Sequence, residues 1–330
     1  MSHHTGLGEN HVTFVRRLPV ASSDFVRGPV AGGVVAGLSS GRRLALWMGG
    51  ALISFIAAAL AIRALAYKLN VFEMMSVRSA GGIVILLAVA ALRPELKKGL
   101  TLRRIRLHFL RSSVHFVSQI GWAFGITMLP FATVFALEFT TPVWVAVLAT
   151  LLLGERMTPS RAGSVVVCFL GVLIILRPGL VTVPLPAVMM LGSAITMAVT
   201  AILTKKLITT ESTFAILFWM NLMQLPMNLA GSGSTLFTHA DWSMALPLLV
   251  IAVGGLSVHY CLTNAFRCGD ATIVVPLDFL RVPAIALIGW AFYGEALDAF
   301  VFVGAAFIVI GVLWSVQAEA RRVQPVASLT

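Results

Sequence analysis

The sequence predicts an all-α, polytopic membrane protein: ten transmembrane helices arranged as two inverted five-helix repeats. Three observations carry that expectation. The 330-residue chain is 58% hydrophobic and only 11% charged, against roughly 25% charged in an average soluble domain. That leaves too little polar side chain to cover a water-facing surface. Ten apolar segments, most of them near the length of about 20 residues that crosses a bilayer as a helix, follow one another along the chain. Finally, LEFTTPVWVAVLATLLLGE (residues 137–155) returns 140 positions later as LDFLRVPAIALIGWAFYGE (residues 277–295). The offset sets Glu138 on Asp278, Gly154 on Gly294, Glu155 on Glu295 and Gly171 on Gly311.

In chain order, the first unit (residues 44–178) holds spans at 44–67, 71–92, 107–128, 131–153 and 161–177. The second (186–316) holds spans at 186–204, 213–230, 244–266, 271–293 and 299–316. The fifth and tenth are short, but they occupy matching places in the two units. Residues 1–43 are polar, glycine-rich and basic. Their one apolar patch, 29–38, is too short to span and too rich in glycine for a signal-peptide core. With residues 317–330 they are expected to be cytoplasmic tails.

Loop charge sets the direction. Arg16, Arg17, Arg27, Arg42, Arg43, Arg93, Lys97, Lys98, Arg103, Arg104, Arg106, Arg156, Arg161, Lys205, Lys206, Arg267, Arg321 and Arg322 fall on one side if ten helices alternate. They are 18 of the 24 basic residues, whereas the opposite loops hold only Lys68 and Arg177. Both termini are therefore expected on the cytoplasmic face of the inner membrane. Topology accounts for the net charge of +11, and no nucleic-acid partner is needed. The offset moves each span onto the span five places later. Five is odd, so the two halves enter the membrane in opposite senses. Cys168, Cys261 and Cys268 show no metal-ligand spacing, and an odd count argues against a disulfide framework. They read as small buried thiols, and no cofactor or metal is expected.

A charge at the bilayer centre costs at least roughly 2.5–3.5 kcal/mol and tends to face protein or a wet cavity. Glu138 and Asp278 are both deep in their spans and are expected to approach one pseudo-dyad. They either bind solute or protons, or lock the helices through Arg281, one turn from Asp278 and able to reach Glu138. Arg111, His115, Gln119 and Trp122 step by four, four and three along one helical face. Such a stripe is expected to line a cavity, with Arg111 near the helix end snorkelling to headgroups. His115 could titrate near neutral pH or simply bond a neighbouring helix. His259 is the repeat mate of Gln119, and Tyr260, Thr263, Asn264 and Arg267 continue a polar side. Asn221, Gln224 and Asn228 share a face, and Ser193, Thr196 and Thr200 read as packing residues. Arg78 is too deep to snorkel and is expected to pair with a carboxylate, Glu73 being nearest in sequence. Arg63 is expected to reach the outer interface, and Glu155 and Glu295 to anchor helix ends. Pro142 and Pro283 interrupt matching spans, and Pro276 precedes Asp278. Such matched breaks point to a binding region. Gly163, Gly171, Gly304 and Gly311 read as close helix contacts. Aromatic walls are expected from Trp122, Trp144, Trp219 and Trp290.

Glu138-Phe-Thr-Thr-Pro142, Gly154-Glu155-Arg156, Gly163 and Gly171 resemble the EamA-type repeat of the drug/metabolite transporter superfamily. Phe72-Glu73 with Arg78-Ser79 fits the same pattern, and Asp278-Phe279, Gly294-Glu295 and Gly311 carry it into the second copy. The resemblance covers about residues 44–316. The second copy departs at Ala296, where the first has Arg156; an outward-facing end needs no positive anchor. The resemblance implies a central cavity between the repeats and secondary transport of a small organic solute. Its wording is closest to bacterial members proposed to carry metabolites such as S-adenosylmethionine or riboflavin. The mixed charges suit an amphipathic or zwitterionic solute. Glu138, Asp278, Arg281, His115, Gln119, Trp122, His259, Asn264 and Arg78 are the candidate binding or coupling residues. An ion channel would need rings of like groups, and the polar groups here are mixed in sign. A membrane enzyme would need a motif such as HExxH or a nucleophile elbow, and the sequence holds neither.

Overall fold

The computed structural model describes residues 40–153, 157–180, 182–207, 209–233, 241–268, 274, 277, 278 and 280–323. The tails 1–39 and 324–330, Gly154, Glu155, Arg156, Pro276 and Phe279 lie outside the described residues, as do the side chains of Lys98, Lys205, Thr263, Arg267, Cys268, Arg321 and Arg322.

Among the described residues the chain is built from helices and short connections. They are α1 (Ser40–Leu65), α2 (Val71–Leu92), α3 (Ile105–Met128), α4 (Phe131–Glu138), α5 (Thr141–Leu153), α6 (Pro159–Leu176), α7 (Leu185–Leu207), α8 (Thr213–Ser232), α9 (Ala245–Cys268), α10 (Arg281–Tyr293) and α11 (Ala299–Val323). Local chemistry sets several boundaries. Asn70 and Glu73 form a capping box at the start of α2. Thr158 caps α6 ahead of Pro159, and Ser212 caps α8 through the Ala215 N–H at 3.1 Å.

The fourth predicted span is two helices. Pro142 has no N–H to give the Glu138 carbonyl, so the ladder breaks after Glu138. The freed carbonyls are taken by hydroxyls: Thr141 Oγ1 donates to Glu138 O and Thr140 Oγ1 to Leu137 O, both at 2.7 Å.

Seven of the helical segments are long and apolar enough to cross a membrane. At the other three predicted positions, α3 and α8 carry the polar stripes and α10 has 13 residues. The outer surface is apolar: Ile53, Val84, Phe169, Leu287 and Phe292 are more than half exposed. Acyl chains suit such a surface and water does not. The molecule is a multi-pass membrane protein.

Helix α1 packs on α9, α3 on α7, α6 on α11, α2 on α8 and α9, and α4 on α10. The core gathers around α4, where Phe131, Phe135 and Leu137 are fully buried with Met74, Met75 and Ile126. Between α6 and α11, a Cβ on Gly171 would stand 2.6 Å from the Gly304 carbonyl oxygen. The close approach lets Ser164 Oγ donate to Gly311 O (2.6 Å) and Cys168 Sγ to Ile308 O (3.3 Å).

Arg63 does not run out to the interface. It is only 12% exposed because one end of the bundle supplies acceptors for it. Its Nη1 meets Glu295 Oε1 at 2.7 Å, and its other nitrogens donate to Ile126 O and Leu129 O at the end of α3. Glu295 Oε2 in turn accepts from the Phe131 N–H at 2.8 Å, at the start of α4. Lys68–Asp241 (3.3 Å) and Arg177–Asp298 (2.6 Å) join the same end. At the opposite end Glu211 meets His108 at 4.0 Å and Thr101 at 3.3 Å, and Arg104 reaches Lys206 O.

Candidate functional site

A cavity opens in the middle of the bundle. Helix α1 contributes Phe55, Ala58 and Ile62, α2 Arg78, and α3 His115, Gln119 and Trp122. Glu138 enters from the broken end of α4, and α9 supplies Ile251, Gly254, Gly255, Val258 and His259. About 100 Å³ is open to water centres, room for several waters at roughly 10–15 Å³ each. A larger groove of about 780 Å³ lies between α1, α9 and α10. It is apolar and open to the outside. Its one charged group among the described residues, Arg63, is already held by Glu295. The central cavity is therefore the candidate site.

The structure brings the two duplicated carboxylates together around one cation. Arg281 Nη2 lies 3.4 Å from Glu138 Oε1 and 3.1 Å from Asp278 Oδ2. Trp122 Nε1 donates to Glu138 Oε2 at 3.0 Å. The Arg281 guanidinium is stacked over Phe55 (4.4 Å) and Phe139 (4.5 Å). Glu138 reaches this position because α4 ends there.

A second polar group faces it along α3. Arg78 Nη1 donates to Gln119 Oε1. One turn earlier on α3, His115 Nδ1 meets Gln224 Nε2 at 2.9 Å, and Gln224 also donates to Ser112 O at 3.1 Å. The rings of His115 and His259 are 6.4 Å apart. Eight of the nine candidates thus converge: six line the cavity, with Arg281 and Asp278 behind Glu138. Asn264 stands apart. It is buried in α9, and its amide bonds its own backbone at Tyr260 O (2.8 Å).

Arg78 does not pair with Glu73, whose carboxylate accepts the Asn70 N–H at 2.8 Å in the α2 cap. Arg111 does not snorkel; it is buried and donates to Thr204 Oγ1 at 3.1 Å. Trp290 is 53% exposed and faces away from the cavity. Trp219 packs beside His108, with centroids 6.3 Å apart, and neither it nor Trp144 lines the cavity. Phe55, Met197 and the Gly254–Gly255 pair line the site without having stood out in the sequence. The glycine doublet was the available signal, since a Cβ on Gly255 would stand 2.5 Å from Arg78 Nε.

A bundle of membrane helices around a central cavity of mixed charge belongs to the class of small-molecule transporters. The model of the EamA-like transporter family matches residues 42–177 and again 185–317, so the chain belongs to that family. A riboflavin transporter of Rhizobium johnstonii is 30% identical over 218 residues, 65% of this chain and 71% of that protein. An S-adenosylmethionine uptake transporter of Rickettsia prowazekii is 26% identical over 225 residues, covering 68% and 76%. The pseudopaline exporter CntI of Pseudomonas aeruginosa is 26% identical over 243 residues, covering 72% and 83%. A solved crystal structure superposes with TM-score 0.56 at 16% identity, over 85% of this chain and 98% of that one. At that identity the likeness speaks for the fold.

Proposed function

We propose that this protein is a secondary transporter of the bacterial inner membrane, with both termini cytoplasmic. A small amphipathic or zwitterionic organic solute binds between two inverted repeats and crosses by alternating access. The observation that carries the proposal is the meeting of Glu138 and Asp278, mates under the 140-residue offset, on one arginine beside a central cavity. Helix pairing supports the inverted arrangement. Under the five-span offset, α1 against α9 exchanges with α7 against α3, while α6–α11, α2–α8 and α4–α10 each join a span to its own mate. The cavity in this conformation is narrow, so a solute must widen it, which suits a site that opens to one side at a time. Glu138, Asp278 and Arg281 form the coupling group. Arg78, His115, Gln119, Trp122 and His259 contact the solute. Asn264 serves the packing of α9.

The test is counterflow in proteoliposomes, starting with riboflavin and S-adenosylmethionine, the solutes named for relatives. Internal solute should accelerate uptake of labelled external solute, which a channel does not do. Glu138→Gln with Asp278→Asn should abolish exchange; unchanged exchange would remove the carboxylates from the mechanism.

A further inference from the structure

We propose that Arg78 and Gln119 form a seat for a carboxylate group on the solute, which makes the cargo a carboxylate-bearing compound. The proposal rests on the transport reading of the same cavity and names its substrate class.

Arg78 stands in the cavity wall, and among the described residues no carboxylate lies within 4 Å of its nitrogens. Its side-chain hydrogen bond goes to a neutral amide, Gln119 Oε1. Because that oxygen accepts from Arg78, the Gln119 amide is oriented with its NH₂ on the other side. There Gln119 Nε2 is buried with no partner, on a side chain only 5% exposed. An unmatched guanidinium and an unmatched amide N–H₂ therefore sit side by side at the cavity. Both are donors, and leaving a buried donor such as Gln119 Nε2 unsatisfied is costly. Glu138, the one carboxylate lining the cavity among the described residues, is engaged by Arg281 and Trp122. Arg111, further along α3, bonds a hydroxyl and adds positive charge behind the seat. Gly255 clears the space that the Arg78 side chain fills. The fitting ligand is flat and has two acceptor oxygens: a carboxylate can take the guanidinium fork with one edge and Gln119 Nε2 with a second lone pair.

The test uses purified full-length protein and the isosteric probes benzoate and benzamide. In the ligand-free state Arg78→Met removes a charge that no carboxylate compensates and should unfold about 1–2 °C higher. A Tm that falls marks Arg78 as a structural strut and overturns the proposal. Benzoate should stabilise the wild type and benzamide should not, and the benzoate effect should vanish in Arg78→Met. In Arg78→Lys, which keeps the charge and loses the fork, benzoate affinity should fall about 10-fold. Gln119→Glu provides a second variant: it supplies the missing carboxylate internally, so Tm should rise and benzoate should no longer bind. No benzoate effect in the wild type, or one that survives Arg78→Met or Gln119→Glu, overturns the proposal. Counterflow of a neutral solute would sink the carboxylate seat and leave transport standing. Benzoate stabilisation that depends on Arg78, with no solute exchanged, would do the reverse.

Discussion

At Arg281 one guanidinium faces two carboxylates, Glu138 at 3.4 Å and Asp278 at 3.1 Å, with the rings of Phe55 and Phe139 against it. Arg281→Met leaves both acids in the protein interior without their cation and should cost about 3–5 kcal/mol, read as a large fall in Tm. Glu138→Gln behaves differently. The amide oxygen can still accept from Trp122, and Asp278 remains to balance Arg281. Tm should stay near that of the wild type while counterflow is lost. Gly255→Ala separates binding from folding: helix propensity favours alanine by roughly 1 kcal/mol, but the new Cβ meets Arg78 Nε at 2.5 Å. Thermal stability should hold and solute affinity should drop. The charged triad was legible because an ionised group in an apolar stretch is too costly to stand without a partner or a wet cavity. Phe55 and Gly255 were not, since small and apolar residues look the same whether they pack a helix or clear a cavity. Asn70-x-x-Glu73 spells a capping box, which occupies Glu73 at the α2 start and leaves Arg78 to Gln119.

Between elements, α6 and α11 approach closely enough for backbone to face backbone. A Cβ on Gly171 meets the Gly304 carbonyl oxygen at 2.6 Å, and backbone cannot move aside as a side-chain tip can. Gly171→Ala should destabilise by about 1–3 kcal/mol through overpacking. It should also strain the Ser164 and Cys168 bonds to the α11 carbonyls. Gly192→Ala in α7, where a Cβ meets nothing within 4 Å, is the control and should be neutral or stabilising. Thermal unfolding of the two variants in the same detergent checks both. The glycine contacts and the short fifth and tenth spans were readable because each copy vouched for the other. The break after Glu138 was foreshadowed by Pro142. The Arg63 network was not, because its acceptors are carbonyls at the end of α3 and the backbone N–H of Phe131. Backbone groups are present at every position and leave no mark in a sequence.

Across the whole molecule, ties at both ends join the first half (α1–α6) to the second (α7–α11). Arg63–Glu295, Lys68–Asp241 and Arg177–Asp298 hold one end; Glu211 with His108 and Thr101, and Arg104 with Lys206, hold the other. If the halves rock to open the cavity at the first end, those three ion pairs must part. They are unequal. Lys68 and Asp241 are about half exposed, so their pair is screened and weak, although hydrogen bonds from Ser243 hold the Asp241 carboxyl below the usual carboxylate range. Arg63 and Glu295 are 12% exposed each and also cap α3 and α4, so opening this end must replace much more there. Replacing Lys68 and Asp241 with cysteines removes only the weak pair, and exchange should continue. Joining the two thiols with a short, reducible bifunctional reagent should then stop counterflow, and reductant should restore it. Each single cysteine variant, treated alike, should stay active. Exchange that persists in the cross-linked protein would mean that this end never opens, and the rocking of one half against the other would have to be abandoned.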